Sequence, residues 1–483
     1  MRPSILADAA GAFEVVVERA PAHLVECRVP VVPGTPQSSA TRLFRLAAPI
    51  IGINVLQVLV LAVDAALCGR LPDSQTTLAG LGFAVQIIFL LLVAMLGLTV
   101  GTVALVARAY GAGDHQRVNH VLKQSTQLTV LVGIAVAAVG NLIAPLVLRA
   151  LGASDAAVDV GLDYLRPLLC ATPLYYLAVL YGGVLRGVGN TRVPFLVALL
   201  ANGVNGVLAW ALILGHLGFP QMGARGAGIA TTIAYFFNAG TLVLLLRREA
   251  VPGLRLQLKP EPIDRPLART LARIGAPAAL DLIILNAAFL SILGMLGRIA
   301  ETAVAAHGVG LRVQGLAFVP GLAISQATGA LVGNSLGARD PAEARRIARA
   351  SVLLCTAIMT LLALPLVIAA HPVVGIFDVP PGSDLEIYAV EWMRLLGYCM
   401  PIAGVHIALV GVLQGAGATG VSLRINAWTS LLFQIPCSWL LGFPLGLGAF
   451  GIWLAFPLSF VLRAALAALA YRRGSWARVG AEV

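Results

Sequence analysis

Runs of about twenty mostly apolar residues, separated by short polar stretches, recur along the chain from Leu43 to Tyr471. A helix of about 20 residues is long enough to cross the roughly 30 Å of hydrocarbon in a bilayer, so each run predicts one membrane-spanning helix. The pattern predicts twelve spans, at approximately 44–68, 78–103, 124–148, 158–185, 193–216, 226–246, 276–297, 303–333, 350–371, 386–413, 421–444 and 450–471. We therefore expect an all-α integral membrane protein.

The two halves of the sequence are related to each other. Residues 104–125 align without a gap to residues 330–351 at an offset of 226, with seven of 22 positions identical. Residues 183–193 (GVLRGVGNTRV) and 411–421 (GVLQGAGATGV) agree at seven of eleven positions at an offset of 228. Near-constant offsets over so wide a stretch indicate an internal duplication. Six spans per half is an even number, so the sequence predicts two six-helix lobes related by a pseudo-two-fold axis along the membrane normal.

Basic residues in the loops predict the orientation of the chain. Most loop arginines and lysines fall on one side of the membrane, and the opposite loops hold chiefly Arg70, Arg149, Arg225 and Arg298. Cytoplasmic loops are enriched in Lys and Arg, so both termini are expected in the cytoplasm, with the protein in a bacterial-type inner (plasma) membrane. The predicted parts are an extension without fixed structure (1–41), an N-lobe with six spans (42–248), a proline-containing cytoplasmic linker (249–269), a C-lobe with six spans (270–472) and a cytoplasmic tail (473–483).

Composition supports this class and narrows the function. A chain of 483 residues with 59% hydrophobic and 11% charged residues cannot cover a water-exposed surface with polar side chains. The net charge of +11 follows the loops rather than forming one patch, which argues against a nucleic-acid partner. The sequence has no metal-binding, phosphate-binding or nucleophile motif. We therefore expect a transporter without a cofactor, driven by an ion gradient, rather than an enzyme.

Asp64 is the main candidate for ion coupling, because a carboxylate at membrane depth is retained only where water or a partner reaches it. Gln57 lies seven residues earlier, which returns to within about 20° of the same helix face, and Asn54 lies one turn below. These residues predict a polar stripe on the first span. The alternative is an interfacial carboxylate paired with Arg70. Either a proton or a sodium ion, the latter a possible metal ion at Asp64, fits the sequence.

Other polar residues inside predicted spans are weaker candidates for binding the ion or the substrate. Asn202 and Asn205 share one face of the fifth span, and structural and functional roles are equally compatible with them. The remaining candidates are Asp281, Asn286 and His406. The simpler interpretation of Asp281 is a first-turn carboxylate near the cytoplasmic surface, where the helix dipole favours it, and a lone His within a span is more often a packing residue.

Arg312 in the eighth span occupies the position equivalent to Gln86 at the offset of 226. An arginine at membrane depth implies a carboxylate, a carbonyl or water nearby. The pattern favours a role in locking neighbouring helices together.

Several motifs together carry a family resemblance. The first span reads Pro49-x14-Asp64-x4-Gly69-Arg70-Leu71, and it is followed in order by VGTVALVARAYGAGD, VLRGVGNTRVP, AAHGVGLRVQGLAF, SQATGALVGNSLGARD and VLQGAGATG. In order and spacing the chain resembles the multidrug and toxic compound extrusion (MATE) family over about residues 44–472. The resemblance implies twelve helices in two lobes forming a V, and export of organic, often cationic, compounds against inward proton or sodium flow. It also implies that Asp64 is the ion-coupling aspartate of the N-lobe.

The sequence departs from the family at three acidic positions. Some members carry a second aspartate where this chain has Ala209, and others carry a glutamate and an aspartate where it has Leu285 and Ala403. We therefore expect coupling to be centred on Asp64, and the missing acid at Ala209 favours a proton over sodium.

The resulting prediction is an efflux antiporter for small organic molecules that works by alternating access and contacts membrane lipids. The alternatives are a lipid-linked oligosaccharide flippase of the same superfamily, a membrane-embedded lipid-modifying enzyme and a scaffold that transports nothing. The sequence implies no oligomer.

Overall fold

The structure is a computed structural model that describes residues 38–479, and their secondary structure is helical apart from loops and one isolated bridge between Val251 and Leu254. The predicted N-terminal extension lies almost entirely outside the described residues, as do residues 480–483 of the predicted tail. In chain order the helices are α1 (Ser39–Cys68), α2 (Ser74–Gly111), α3 (His115–Ala150), α4 (Asp155–Cys170), α5 (Thr172–Gly187), α6 (Arg192–Leu214), α7 (Gly223–Arg247), α8 (Arg265–Gly297), α9 (Glu301–Gly337), α10 (Pro341–Ile368), α11 (Ala370–Gly375), α12 (Asp384–Gly415), α13 (Thr419–Ala427), a π-helix (Trp428–Gln434), α14 (Ile435–Gly442), α15 (Gly448–Arg472) and α16 (Ser475–Val479).

Each of the twelve predicted spans corresponds to a helical segment within residues 38–479. Ten are single helices long and apolar enough to cross a bilayer, namely α1, α2, α3, α6, α7, α8, α9, α10, α12 and α15. The span predicted at 158–185 is the pair α4 and α5, bent by 57°. The span predicted at 421–444 is the unbroken run of α13, the π-helix and α14. The all-α, twelve-span architecture is thus confirmed, with two of its spans irregular.

Prolines account for both irregular spans. Pro173 stands in the first turn of α5 and has no N–H to donate to α4, so a continuous helix is interrupted at the bend. Pro436 stands in the first turn of α14 and removes the N–H that would continue the regular ladder at the end of the π-helix. Such π segments widen a helix locally and re-aim its side chains.

The duplication is repeated in the details of packing. In the N-lobe, the Thr102 hydroxyl lies 2.9 Å from Ser125 Oγ, which joins α2 to α3. In the C-lobe, Thr328 and Ser351, at the equivalent positions 226 residues later, place their hydroxyl oxygens 2.6 Å apart and join α9 to α10. Each lobe has its own apolar core, one around Tyr176 and the other around the indole rings of the C-lobe.

The two lobes touch at one end of the bundle. Arg42 at the start of α1 forms an ion pair of 3.0 Å with Glu343 at the start of α10. Asn334 of α9 donates a hydrogen bond of 3.1 Å to the carbonyl of Gly187 at the end of α5. These four residues lie near helix ends, next to the loops that carry most of the arginines and lysines. We call this surface the closed-end contact.

Glycines bring the backbones together at the closed-end contact. A Cβ at Gly111 of α2 would overlap the backbone of Asn334, and a Cβ at Gly337 of α9 would overlap the backbone of Arg108. These two contacts are repeat equivalents, because Gly337 and Asn334 follow Gly111 and Arg108 by 226 residues. The pseudo-two-fold axis therefore passes between α2 and α9.

Toward their other ends, α2 and α9 separate. Gly82 of α2 and Gly308 of α9 are again repeat equivalents, and a Cβ at either position would have no atom within 4 Å. Each lies 29 residues before the glycine of its helix at the closed-end contact, which returns to within about 20° of the same face. At about 1.5 Å per residue, the open level is roughly 43 Å from the closed one. The facing surfaces of α2 and α9 thus bound a cleft that opens at one side of the membrane.

The segment between the lobes is docked on α3. Lys123 forms an ion pair with Glu261, and Gln124 donates a hydrogen bond of 3.1 Å to the carbonyl of Pro262. Asp264 accepts a hydrogen bond of 3.0 Å from the backbone of Leu267 and thereby caps α8. This cap starts α8 at Arg265, inside the region 249–269 that the sequence predicts as a linker.

Candidate functional site

Asp64 lies one turn before the end of α1 and is 1% exposed. Its Oδ2 accepts a hydrogen bond of 3.2 Å from the hydroxyl of Tyr164 on α4. Its Oδ1 is also buried and has no hydrogen-bond partner in the described part of the chain. Arg70 is exposed and forms no ion pair with it within residues 38–479, so the interfacial pairing that was the alternative is wrong. A buried carboxylate with one unpaired oxygen is able to accept a proton or a cation.

Two helices extend this carboxylate site into the N-lobe. The hydroxyl of Thr231 on α7 lies beside the Asp64 carboxylate, although it forms no hydrogen bond of normal geometry with it. Asn205 on α6 is 2% exposed and donates a hydrogen bond of 3.0 Å to the Thr231 hydroxyl. The chain Asp64–Thr231–Asn205, with Tyr164 on the other side, therefore links α1, α4, α6 and α7. We call these four residues the N-lobe cluster.

The other predicted members of the N-lobe site lie apart from this cluster. Gln57 is exposed, Asn54 is half-buried, and neither forms a side-chain hydrogen bond to any described residue. Asn202 donates a hydrogen bond of 2.6 Å to the carbonyl of Ala198 in its own helix. Asp64 and Gln57 lie on nearly the same face of α1, but only Asp64 is covered by neighbouring helices, and no hydrogen bond joins the two side chains in the described chain.

Asp281 is the centre of a second buried cluster, in the C-lobe. Its Oδ2 accepts hydrogen bonds of 2.9 Å from Asn426 and 3.3 Å from Ser422, both on α13. Asp281 Oδ1 and Asn426 Oδ1 are buried without a partner in the described residues. With 6% exposure and helix–helix hydrogen bonds, Asp281 is a buried residue and not the surface first-turn carboxylate that the sequence also allowed.

Arg463 of α15 extends the C-lobe cluster. It is 5% exposed, and it donates hydrogen bonds to Thr429, Ser430 and Gln434 at 3.2, 2.8 and 2.6 Å, all three within the π-helix. The widened turns of the π-helix direct three polar side chains to one guanidinium. Arg463 lies near the Asp281 carboxylate without forming an ion pair with it, so each charge helps to compensate the burial of the other.

The remaining candidates take different positions. His406 is 6% exposed and lies beside Asn426 and Arg463, at the edge of the C-lobe cluster. Asn286 is half-buried and forms no side-chain hydrogen bond within the described chain. Arg312 is exposed and has no hydrogen bond or ion pair to any described residue. The helix-locking role that the sequence favours for Arg312 is therefore wrong.

Sequence reasoning missed Tyr164, Thr231 and Arg463. Tyr164 and Thr231 have no signal of their own in a single sequence, because hydroxyl side chains are common in spans. Arg463 does have such a signal in the sequence. It is a charged residue nine positions before the end of the last span, and at that depth in the membrane its charge requires partners. The described residues contain no group of three or more His, Cys, Asp or Glu side chains able to hold a metal ion. Each cluster therefore offers a single carboxylate.

Outside the membrane, the pKa of Asp264 lies below its usual value. The first cause is the hydrogen bond from the Leu267 backbone, and the second is the side-chain contact with His120, 3.0 Å away. This contact fastens the inter-lobe segment to α3.

Comparison with known proteins gives consistent matches. The MatE family model matches residues 49–211 and 277–440, once in each half of the chain. The probable multidrug resistance protein NorM of Bradyrhizobium diazoefficiens is 30% identical over 453 residues, which cover 91% of this chain and 95% of that protein. The probable multidrug resistance protein NorM of Thermotoga maritima is 26% identical and covers 90% of this chain and 92% of its own.

Solved structures share the fold. A crystal structure of MATE in the bent conformation has a TM-score of 0.85 at 21% identity, covering 95% of this chain and 99% of its own. An outward-facing multidrug resistance MATE family transporter of the MOP superfamily has a TM-score of 0.83 at 22% identity, covering 92% of this chain and 97% of its own. At these identities the likeness concerns the fold alone.

Proposed function

Because the chain belongs to the MatE family, and is thus a multidrug efflux transporter rather than an enzyme, we propose that it is an antiporter that exchanges small organic molecules for protons at Asp64. The observation that carries the proposal is the buried Asp64 carboxylate, with one oxygen held by Tyr164 and the other without a partner. An ion gradient, of protons or of sodium, supplies the energy for transport. The chemistry of the N-lobe cluster favours protons as the coupling ion.

The ligands around Asp64 support a proton over sodium. A dehydrated hard cation requires a shell of several oxygen ligands. The N-lobe cluster supplies one carboxylate, and the position that carries a second acid in some relatives is Ala209, which is fully buried. Hydroxyl groups from Tyr164 and Thr231 orient the carboxylate for a single proton.

Coupling follows from competition between two states of Asp64. Burying an ionised carboxylate costs free energy. The present packing of the N-lobe is therefore more stable when Asp64 is protonated, and ionised Asp64 requires that bound substrate rearrange its surroundings. In our mechanism the proton enters from the outside, substrate binding releases it, and the helices α1, α4, α6 and α7 change their packing as Asp64 changes charge. A ligand shifts such an equilibrium only by its difference in affinity for the two states.

The closed-end contact supports alternating access. If the basic loops are cytoplasmic, this contact seals the cytoplasmic side and the cleft between α2 and α9 opens to the outside, with both termini in the cytoplasm. Rocking of the two lobes about an axis parallel to the membrane plane would open the glycine contacts at Gly111 and Gly337. The described residues contain twelve spanning segments, and this number gives no support to the flippase alternative.

The test is transport by proteoliposomes that contain equal amounts of wild type, Asp64→Asn or Asp159→Asn. Asp159 is an exposed carboxylate on α4 and serves as the matched control. With rhodamine 123 and its carboxylate analogue rhodamine 110 each tested as the dye, we expect an imposed proton gradient to drive efflux of at least one of them in wild type and Asp159→Asn, and a sodium gradient alone to drive none. Asp64→Asn should lose gradient-driven efflux. Full gradient-driven efflux by correctly folded Asp64→Asn would refute the coupling role.

A further inference from the structure

Arg312 faces the cleft between the lobes. It lies on α9, and the residues at the closed-end contact, Asn334 and Gly337, follow it by 22 and 25 residues, which return to within about 40° and 20° of its direction. Gly310 and Gly321 of α9 pack against Trp392 and Met359 of the same lobe. They point about 160° and 180° away from Arg312. The guanidinium is therefore on the face that looks toward the N-lobe.

The facing surface of the N-lobe carries the repeat equivalent of Arg312. Gln86 of α2 lies 226 residues earlier and is exposed as well. It precedes Gly111 by 25 residues, as Arg312 precedes Gly337. The same position thus holds a neutral amide in one lobe and a cation in the other, so the fold itself does not require a charge there.

Arg312 lies at membrane depth without a protein partner. It follows the start of α9 by eleven residues, which is about 16 Å along the helix. Within residues 38–479 it forms no hydrogen bond and no ion pair. An arginine at such depth usually faces a water-filled cavity and marks a ligand path, since its charge must be compensated. Five N–H donors are thus available to a ligand in the cleft.

No described carboxylate on α1, α2, α8 or α9 offsets this charge inside the cleft. Asp64 and Asp281 are the acidic residues of α1, α2, α8 and α9 at membrane depth, and they are 1% and 6% exposed inside their own lobes. The remaining acid of these helices, Glu301, lies at the outer end of α9. On these four helices, the side chain of Arg312 is therefore a positive charge without a carboxylate beside it.

We propose that Arg312 is a substrate-binding residue that selects organic molecules bearing an anionic group, such as a carboxylate, which it binds through paired hydrogen bonds. This inference rests on the proposed function and deepens it by naming the chemical class of the cargo. The family resemblance implies substrates that are often cationic, and the cleft of this chain instead presents a cation of its own.

The test uses two dyes that differ only at the carboxyl group. Rhodamine 110 carries a free carboxylate, and rhodamine 123 is its methyl ester. Binding of each dye to the purified full-length protein in detergent is measured by fluorescence polarisation. We expect wild type to bind rhodamine 110 about ten- to hundredfold more tightly, the range for one charge-assisted hydrogen bond. Arg312→Gln, which installs the side chain of Gln86, should abolish that preference, and Arg312→Lys should retain part of it.

Arg394→Gln is the matched control. Arg394 is exposed on α12 at a similar distance from the helix start, and it points about 160° away from Trp392, the residue that packs on α9. It should keep the wild-type preference. Equal affinities, a preference for rhodamine 123, no saturable binding of either dye, or an unchanged preference in Arg312→Gln would overturn the inference. Binding requires no gradient, so a failure of antiport would leave this result intact.

Discussion

Adding one methyl group at Gly111 should open the closed-end contact. Gly111 meets the backbone of Asn334 across the lobe interface, so the new Cβ of Gly111→Ala has no flexible side chain to displace. Overpacking of this kind typically costs about 1–3 kcal/mol. The cost falls only on the state in which the lobes touch. At about 1.4 kcal/mol per factor of ten, the ratio of closed to open protein should fall roughly 5- to 150-fold.

The assay measures the distance between spin labels at Gln116 and Ala342. Both residues are exposed, and they are repeat equivalents beside the closed-end contact. In a background without native cysteines, double electron–electron resonance of the wild type should give one short distance. Gly111→Ala should shift population to longer distances and lower the rate of efflux.

Gly203→Ala is the matched control for this substitution. Gly203 lies within α6, and a Cβ there would have no atom within 4 Å. The control should keep the wild-type distance distribution. If Gly111→Ala also kept it, the glycine contact would not hold the lobes together, and our account of the closed state would be refuted.

Two further predictions concern the C-lobe cluster and the inter-lobe segment. Arg463→Met should remove the donors to Thr429, Ser430 and Gln434 and lower the free energy of unfolding by roughly 3 kcal/mol, seen as a lower Tm in detergent; an unchanged Tm relative to Arg394→Met would contradict this. Because the pKa of Asp264 is lowered in the folded protein, its stabilisation of the docked segment should be complete above its ordinary value of 3.8 and should be lost as the pH falls through the lowered value. Amide exchange in residues 255–264, corrected for intrinsic pH effects, should therefore accelerate below pH 3.8, and Asp264→Asn should remove that step; equal pH profiles for both proteins would count against it.

The membrane architecture follows from the sequence because hydrophobic length and repetition are local properties. The predicted span 44–68 matches Ser39–Cys68 closely, and of the extra residues at the start of the helix Leu43 packs in the C-lobe core and Arg42 pairs with Glu343. The bend at Pro173 was not predicted, although proline is its visible cause. The π-helix was not predicted either, although Pro436 stands at its end; its contacts with Arg463 come from another helix and are not visible in the local sequence.

The candidate site could be predicted only in part. Asp64 stands out because a charge in an apolar run is unusual, and the structure places it with Asn205, which the sequence also marks. Gln57 was predicted on the same face as Asp64, but a helical wheel assigns only a direction and does not reveal which neighbour each face meets. Arg312 shows the same limit: its depth is visible in the sequence, and its exposure to the cleft depends on how far α2 and α9 separate.

The most direct test of the coupling mechanism is proton release on substrate binding by the detergent-solubilised protein, followed with a pH indicator in weakly buffered solution. Saturating amounts of a dye that the wild type binds should release about one proton per protein molecule, since one carboxylate carries the coupling ion. Asp64→Asn should bind the dye and release none, and Asp159→Asn should match the wild type. Equal proton release from Asp64→Asn and wild type would contradict the account.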